Sequence, residues 1–194
     1  MRVLVLYAHP FEASFVAALH RRVVDTLRSR GHEVDDCDLN VEGFDPVLSR
    51  QDRIDYNNTA LNRVRVAPYI DRLLAAESLV LVFPVWNEGF PAILKGYFDR
   101  VFLPGVSVEM KADGSCSPSL RNVKKLAAVC TYGLDHLRTM FAGDPPRRVV
   151  KRMLRSLVSP HASCEYLGHY DMNHTTPERR ASFLSKVKRA FEAW

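Results

Sequence analysis

Three short loops carry the residues of this 194-residue chain best suited to chemistry, and their types point to the holding of a phosphorylated, flat ligand. His9-Pro10-Phe11-Glu12-Ala13-Ser14-Phe15 runs from an apolar stretch straight into a helical pattern. Free amides at a helix start, joined by the Ser14 hydroxyl and His9, form a phosphate cradle. Each contact with the helix end is worth about 0.3–1 kcal/mol, so the amides must act together. Ser14 as a plain helix cap and His9 as a polar loop residue describe the same loop equally well. In the second loop, Phe83-Pro84-Val85-Trp86-Asn87-Glu88-Gly89-Phe90-Pro91, the Trp86 indole suits the face of an aromatic ligand whose polar edge bonds loop amides. Its alternative is an indole packed on the next helix or at a subunit contact. Thr131-Tyr132-Gly133 adds a hydroxyl, a phenol and a permissive backbone.

The first loop has neither G-x-G-x-x-G nor G-x-x-x-x-G-K-[ST], so it is not a dinucleotide fingerprint or a P-loop. It holds no cysteine nucleophile and no acidic pair, which argues against a small phosphatase or a phospho-receiver. Cys37, Cys116, Cys130 and Cys164 form no C-x-x-C pair and are expected as reduced, mostly buried thiols. His161, His169 and His174 have no metal-binding spacing, so no metal site is expected. Lys95, Asp99 and Arg100 fit a solvated helix face with an i, i+4 ion pair.

Five segments must position these loops as strands buried on both faces: Arg2 to Tyr7, His32 to Asp38, Ser78 to Phe83, Lys124 to Thr131, and Ala162 to Tyr170. Between them lie helical patterns. Phe15, Leu19, Val23 and Leu27 form one stripe, capped by Ser14 and ended at Gly31. Pro91 to Leu103, Arg147 to Leu157 and Pro177 to Phe191 form three more. Such alternation predicts an α/β doubly wound parallel sheet, order 2-1-3-4-5, as one flavodoxin-like domain over residues 1–194 with helices on both faces. Ligands of such sheets lie beyond the carboxyl ends of the strands where the order reverses, as flavodoxin's own mononucleotide does. Val41 to Asn58 and Pro104 to Asn122 read as irregular, with Asp113-Gly114 as a hairpin turn in the second.

The chain is 47% hydrophobic and 25% charged, which suits a globular domain and excludes disorder and collagen-like repeats. Its net charge of +5 is spread over several segments, which favours attraction of phosphate-bearing small molecules over a nucleic-acid surface. Val3 to Ala8 is too short for a signal-peptide core, and no run reaches the ~20 apolar residues of a membrane helix. A cytoplasmic protein without membrane insertion is expected.

His9-Pro10 with Ser14-Phe15, Phe83-Pro84-Val85-Trp86, the run Gly89-Phe90-Pro91-Ala92-Ile93-Leu94-Lys95-Gly96-Tyr97-Phe98-Asp99-Arg100-Val101-Phe102, and Thr131-Tyr132-Gly133 together resemble the NAD(P)H:quinone oxidoreductase family. The resemblance covers most of the chain and is most specific in the run from Pro91. It implies a homodimeric flavoenzyme that holds FMN or FAD, takes hydride from NAD(P)H at flavin N5 and passes it to a quinone or similar acceptor. By position, His9, Ser14 and Phe15 would hold the phosphate side. Pro84, Val85, Trp86 and Asn87 would line the ring, and Thr131, Tyr132 and Gly133 would surround its pyrimidine end. Tyr132 is the candidate catalytic residue, with its hydroxyl, or the loop amides after Thr131, stabilising negative charge at flavin N1 and O2. The chain departs from the family in three ways: Asn87 and Glu88 stand where a second aromatic is common, Val16 replaces an asparagine, and only Tyr132 and His136 lie near where a tyrosine and a histidine assist hydride transfer.

Related readings share the scaffold. An azo- or nitro-reductase differs only in acceptor, whereas some relatives act as accessory subunits of a membrane potassium-efflux system. Single-electron flavodoxin carriers tend to be acidic, and a pI near 9.1 counts against that role. Arg147, Arg148, Lys151, Arg152 and Arg155 make a basic helix that suits the adenosine phosphates of a nicotinamide cofactor or an acidic partner, and equally a solvated surface.

Overall fold

Val3, Leu4, Val5 and Leu6 leave the first strand no polar face, so it must be covered on both sides, and the chain supplies helices for both. The computed structural model describes residues 1–111 and 113–194. Strands β1 (Arg2–Tyr7), β2 (Glu33–Asp38), β3 (Ser78–Val85), β6 (Lys125–Tyr132) and β7 (Ser163–His169) form one sheet in the order β2-β1-β3-β6-β7. Every pairing in it is parallel. Numbered within this sheet alone, the order is the expected 2-1-3-4-5.

Alternation along each strand divides the core in two. Val3, Val5, Val80, Val82, Ala127 and Val129 face helices α1 (Phe15–Ser29) and α8 (Pro177–Glu192), from which Leu19, Val23, Phe183 and Val187 complete one cluster. Leu4, Leu6, Leu79, Leu81, Leu126 and Ala128 face the other way, against α3 (Ala67–Ala75), α4 (Ala92–Val101) and the segment after Pro145. That segment comprises α6 (Pro145–Arg148), a wider π-helical stretch (Val149–Leu154) and α7 (Arg155–Leu157).

Three helices stand outside the four expected helical patterns: α2 (Arg50–Asp55), inside the expected irregular stretch, α3, and α5 (His136–Phe141). The α2 helix rests on a local device, a capping box in which Ser49 and Asp52 satisfy each other's backbone amides. Arg100 departs from the solvated face expected of it. It is 8% exposed and reaches the Asp45 carbonyl and the Asp52 carboxylate, 3.5 Å away, whereas Lys95 and Asp99 make the expected i, i+4 pair. Strands β4 (Val108–Met110) and β5 (Cys116–Pro118) pair antiparallel as an excursion beside the sheet, with Gly114 left-handed in the turn. Edge strand β2 carries acidic residues because neighbours answer them: Arg72 reaches Asp35 at 2.6 Å, and His20 reaches Asp36 at 2.7 Å. Cys37 and Cys130 are buried, Cys164 is partly so, and Cys116 is exposed. Among the described residues no helix is long and apolar enough to cross a membrane, and no group of three or more His, Cys, Asp or Glu could hold a metal.

Candidate flavin site

Strands β1 and β3 are neighbours, with Tyr7 beside Val82, and the chain leaves them toward opposite halves of the sheet. The loops that follow them therefore emerge side by side at the point where strand order reverses. Ser14 takes the extended N-cap conformation, and its Oγ accepts the Ala17 amide at 3.0 Å. Among the described residues, the Phe15 and Val16 amides of the first turn find no acceptor, as expected at a helix start. His9 Nδ1 accepts the Phe11 amide at 3.0 Å, so in the neutral ring the proton sits on Nε2, which becomes a donor. Burial holds the His9 pKa below the usual imidazole value and favours that neutral form.

Trp86 lies next to this cradle, its ring centroid 5.6 Å from that of His9 and its side chain 46% exposed. A tight two-residue turn presents it: Trp86 and Gly89 exchange backbone hydrogen bonds of 3.1 and 2.9 Å around Asn87 and Glu88. Both turn residues are left-handed, with φ of 49° and 55°. Asparagine tolerates that conformation, whereas glutamate holds it at a cost of about 1–3 kcal/mol. Asn87 consequently stands out in solvent at the tip of the turn, beyond the cleft it was expected to line.

His9, Ser14, Phe15, Pro84, Val85, Trp86, Thr131 and Gly133 converge on one cleft of about 290 Å³, together with Val16, Met172 and Asn173. Met172 and Asn173 belong to the turn after β7, which the sequence reading passed over although it too stands at a carboxyl end. Asn173 Nδ2 donates to the Gly133 carbonyl at 3.4 Å, which ties that turn to the loop after β6. Tyr132 does not join the cleft with its phenol. Thr131 and Gly133 face the cleft, while the Tyr132 side chain turns to the other side of the sheet, is 1% exposed and donates to Asp144 Oδ1 at 2.6 Å. The expected contact of its hydroxyl with a flavin edge is thus replaced by an internal hydrogen bond.

The cleft offers paired helix amides, a serine hydroxyl and a neutral imidazole N–H, and among the described residues no carboxylate lines it. That donor set fits a phosphate, and the half-exposed indole, which lines the cleft with Pro84 and Val85, fits a planar ring beside it. A larger apolar groove of about 350 Å³, between Phe90, Phe98, Phe102, Val149, Met153 and Leu157, has no comparable convergence of donors. Its charged side chains, Lys95 and Asp99, are paired with each other.

Comparison with known proteins bears on the family and the fold. The chain is 27% identical over 210 residues to NAD(P)H dehydrogenase [quinone] 1 of Rattus norvegicus, an alignment covering 98% of this chain and 76% of the relative. It is 26% identical over 206 residues to the FMN-dependent NADH:quinone oxidoreductase of Staphylococcus aureus, covering 97% of both. The solved NAD(P)H:quinone oxidoreductase from Methanothermobacter marburgensis shares the fold with a TM-score of 0.81 at 22% identity, over 99% of this chain and 98% of that one. The profile of the family described by its flavodoxin-like fold matches residues 1–186, and the chain belongs to that family.

Proposed function

We propose that this protein is a flavin-dependent NAD(P)H oxidoreductase that reduces a quinone or a similar small organic acceptor. The observation that carries the reading is the cleft itself, where a phosphate cradle on α1 stands beside the exposed indole of Trp86 at the strand-order reversal. The two quinone-reducing relatives aligned over nearly the whole chain support it. Bound flavin supplies the two-electron transfer between nicotinamide and acceptor.

The chain's own residues bind and orient. Ser14, His9 Nε2 and the amides of Phe15 and Val16 would hold the phosphate, and Trp86 with Pro84 and Val85 would support the ring. Thr131 and the main chain through Gly133 would present donors to its polar edge, so the proposed contribution of Tyr132 passes from its phenol to its backbone. The relative from Staphylococcus aureus is named for FMN, which supports FMN here. The apolar groove beside the Trp86 turn, lined by Phe90 and Met153, supports a second copy packing against that face.

The test is an absorbance spectrum after incubation with FMN or FAD and removal of unbound flavin, followed by anaerobic NADPH and then a soluble quinone. Retained bands that bleach and return with quinone support the enzyme and identify its flavin. Bands that never bleach would point to a carrier or an accessory subunit, and loss of all flavin would overturn the site.

A further inference from the structure

Asp144 is a charged side chain placed almost fully inside the protein, 7% exposed, and the local sequence dictates how it gets there. Helix α5 ends in a Schellman motif: the Gly143 amide donates to Met140, and the Asp144 amide donates to the Thr139 carbonyl at 3.0 Å. Gly143 and Asp144 are both left-handed, with φ of 92° and 44°. Pro145 and Pro146 then open α6. An aspartate at such a helix start ordinarily accepts an amide from the first turn. Ser14, Ser49 and Asp135 do so from an extended backbone, whereas Asp144 is left-handed and its side chain makes no capping bond.

The carboxylate turns inward instead. Its Oδ1 accepts the Tyr132 hydroxyl at 2.6 Å, and that hydroxyl also meets the Tyr166 hydroxyl at 2.5 Å. Tyr170 stacks on the Tyr132 ring with centroids 4.4 Å apart, and its hydroxyl lies 3.5 Å from Asp144 Oδ2. Gly168 leaves room for this stack, since a Cβ there would sit 3.1 Å from Tyr170 and 3.2 Å from Tyr132. Burial raises the Tyr132 and Tyr166 hydroxyls far above the ordinary phenol range, so both keep their protons at neutral pH.

Tyr132 lies between Thr131 and Gly133, the two residues that put the end of β6 into the cleft. Whatever holds its side chain therefore holds the backbone that would face the ring's polar edge. We infer that Asp144 is a positioning residue for flavin binding, acting through the Tyr132 hydroxyl to set the Thr131–Gly133 main chain. The inference rests on the flavin reading of the cleft. Asp144 itself lines a different depression, with His136 and Arg147.

The experiment measures the FMN dissociation constant of flavin-free protein by fluorescence, together with the reduction potential and visible spectrum of the complex at saturation. Wild type, Asp144→Ala, Asp144→Asn, Tyr132→Phe and the double variant Asp144→Ala/Tyr132→Phe are compared. Asp144→Ala and Tyr132→Phe are expected each to weaken FMN by about tenfold, the scale of one hydrogen bond to a charged group. The double variant should be no weaker than either single one, because both remove the same link. Asp144→Asn keeps an acceptor for the hydroxyl and should restore affinity, spectrum and potential to near wild type. Additive losses, or an Asp144→Ala protein with unchanged affinity, spectrum and potential, would overturn the inference. Should Asp144→Ala not fold, Asp144→Asn and Tyr132→Phe decide: wild-type behaviour of Tyr132→Phe, or failure of Asp144→Asn to rescue, overturns it. Wild-type protein that binds no FMN would overturn the flavin reading itself, a separate outcome.

Discussion

Gly96, in the middle of α4, lies so close to Pro46 that a Cβ built on it would stand 2.3 Å from both the Cβ and the carbonyl oxygen of Pro46. A glycine inside a helix normally costs stability relative to alanine, so its presence there calls for a compensating contact. The contact is the crossing of the segment around Pro46 over the helix, one turn from where Arg100 bonds the Asp45 carbonyl.

Gly96→Ala should therefore destabilise the protein, although alanine is the better helix former. Overpacking against backbone costs about 1–3 kcal/mol. Urea denaturation gives the answer, and a variant as stable as the parent would show that the Pro46 segment yields freely.

Trp86 and Trp194 occupy opposite ends of the molecule. Trp86 follows β3 at the cleft, whereas Trp194 packs on Phe191 and under the Lys125 ammonium, where β6 begins. A strand of eight residues separates its ends by about 25 Å. Flavin added to flavin-free protein should quench mainly Trp86. In Trp86→Phe the remaining emission should respond far less, and equal fractional quenching in both proteins would place the ring elsewhere.

Ser14 has two duties that separate experimentally. Loss of its cap bond to Ala17 in Ser14→Ala should cost about 1 kcal/mol of stability. Loss of its hydroxyl from the cradle should weaken FMN while sparing riboflavin, which has no phosphate. Titration of both flavins with both proteins checks this, and an equal change for the two would remove Ser14 from phosphate binding.

His169 is 6% exposed, with Nε2 2.9 Å from Thr175 Oγ1. Burial first, then the nearby charges of Arg179 and Arg180, lowers its pKa below the ordinary imidazole value. The unfolded chain thus takes up a proton near pH ~6.5, before the folded one does. Stability must fall as pH drops through that value, because the unfolded state binds more protons there. The melting temperature of flavin-free protein should decline between about pH 7.5 and about pH 5.5. His169→Gln should shrink the decline, with His9 and His32, also shifted down by burial, accounting for part of what remains.

The main sheet and four of its helical segments are legible in the sequence because they rest on one-dimensional signals. Continuous apolar runs give β1, β3 and β6, a four-residue stripe ending at Gly31 gives α1, and proline starts mark α4 and α8. Helices α2 and α5 span six residues each, too few for a periodic pattern to declare itself, and depend on caps from Ser49 and Asp135. The loops after β1, β3 and β6 could be named in advance because parallel topology brings their ends together whatever the side chains do.

From the sequence alone follow the family, the sheet order and the expectation that His9, Ser14 and Trp86 gather at one edge of it. All three are properties of residue order, which the chain carries before it folds. Only tertiary structure decided where side chains at those positions turn. Strand alternation sends Thr131 into the cleft and Tyr132 away from it, to a carboxylate twelve residues onward that makes no capping bond to its own helix. It also brought Met172 and Asn173 to the cleft from beyond β7 and buried Arg100 against the α2 cap. Direction and long-range pairing depend on what arrives from distant segments, and no local pattern in the sequence encodes that arrival.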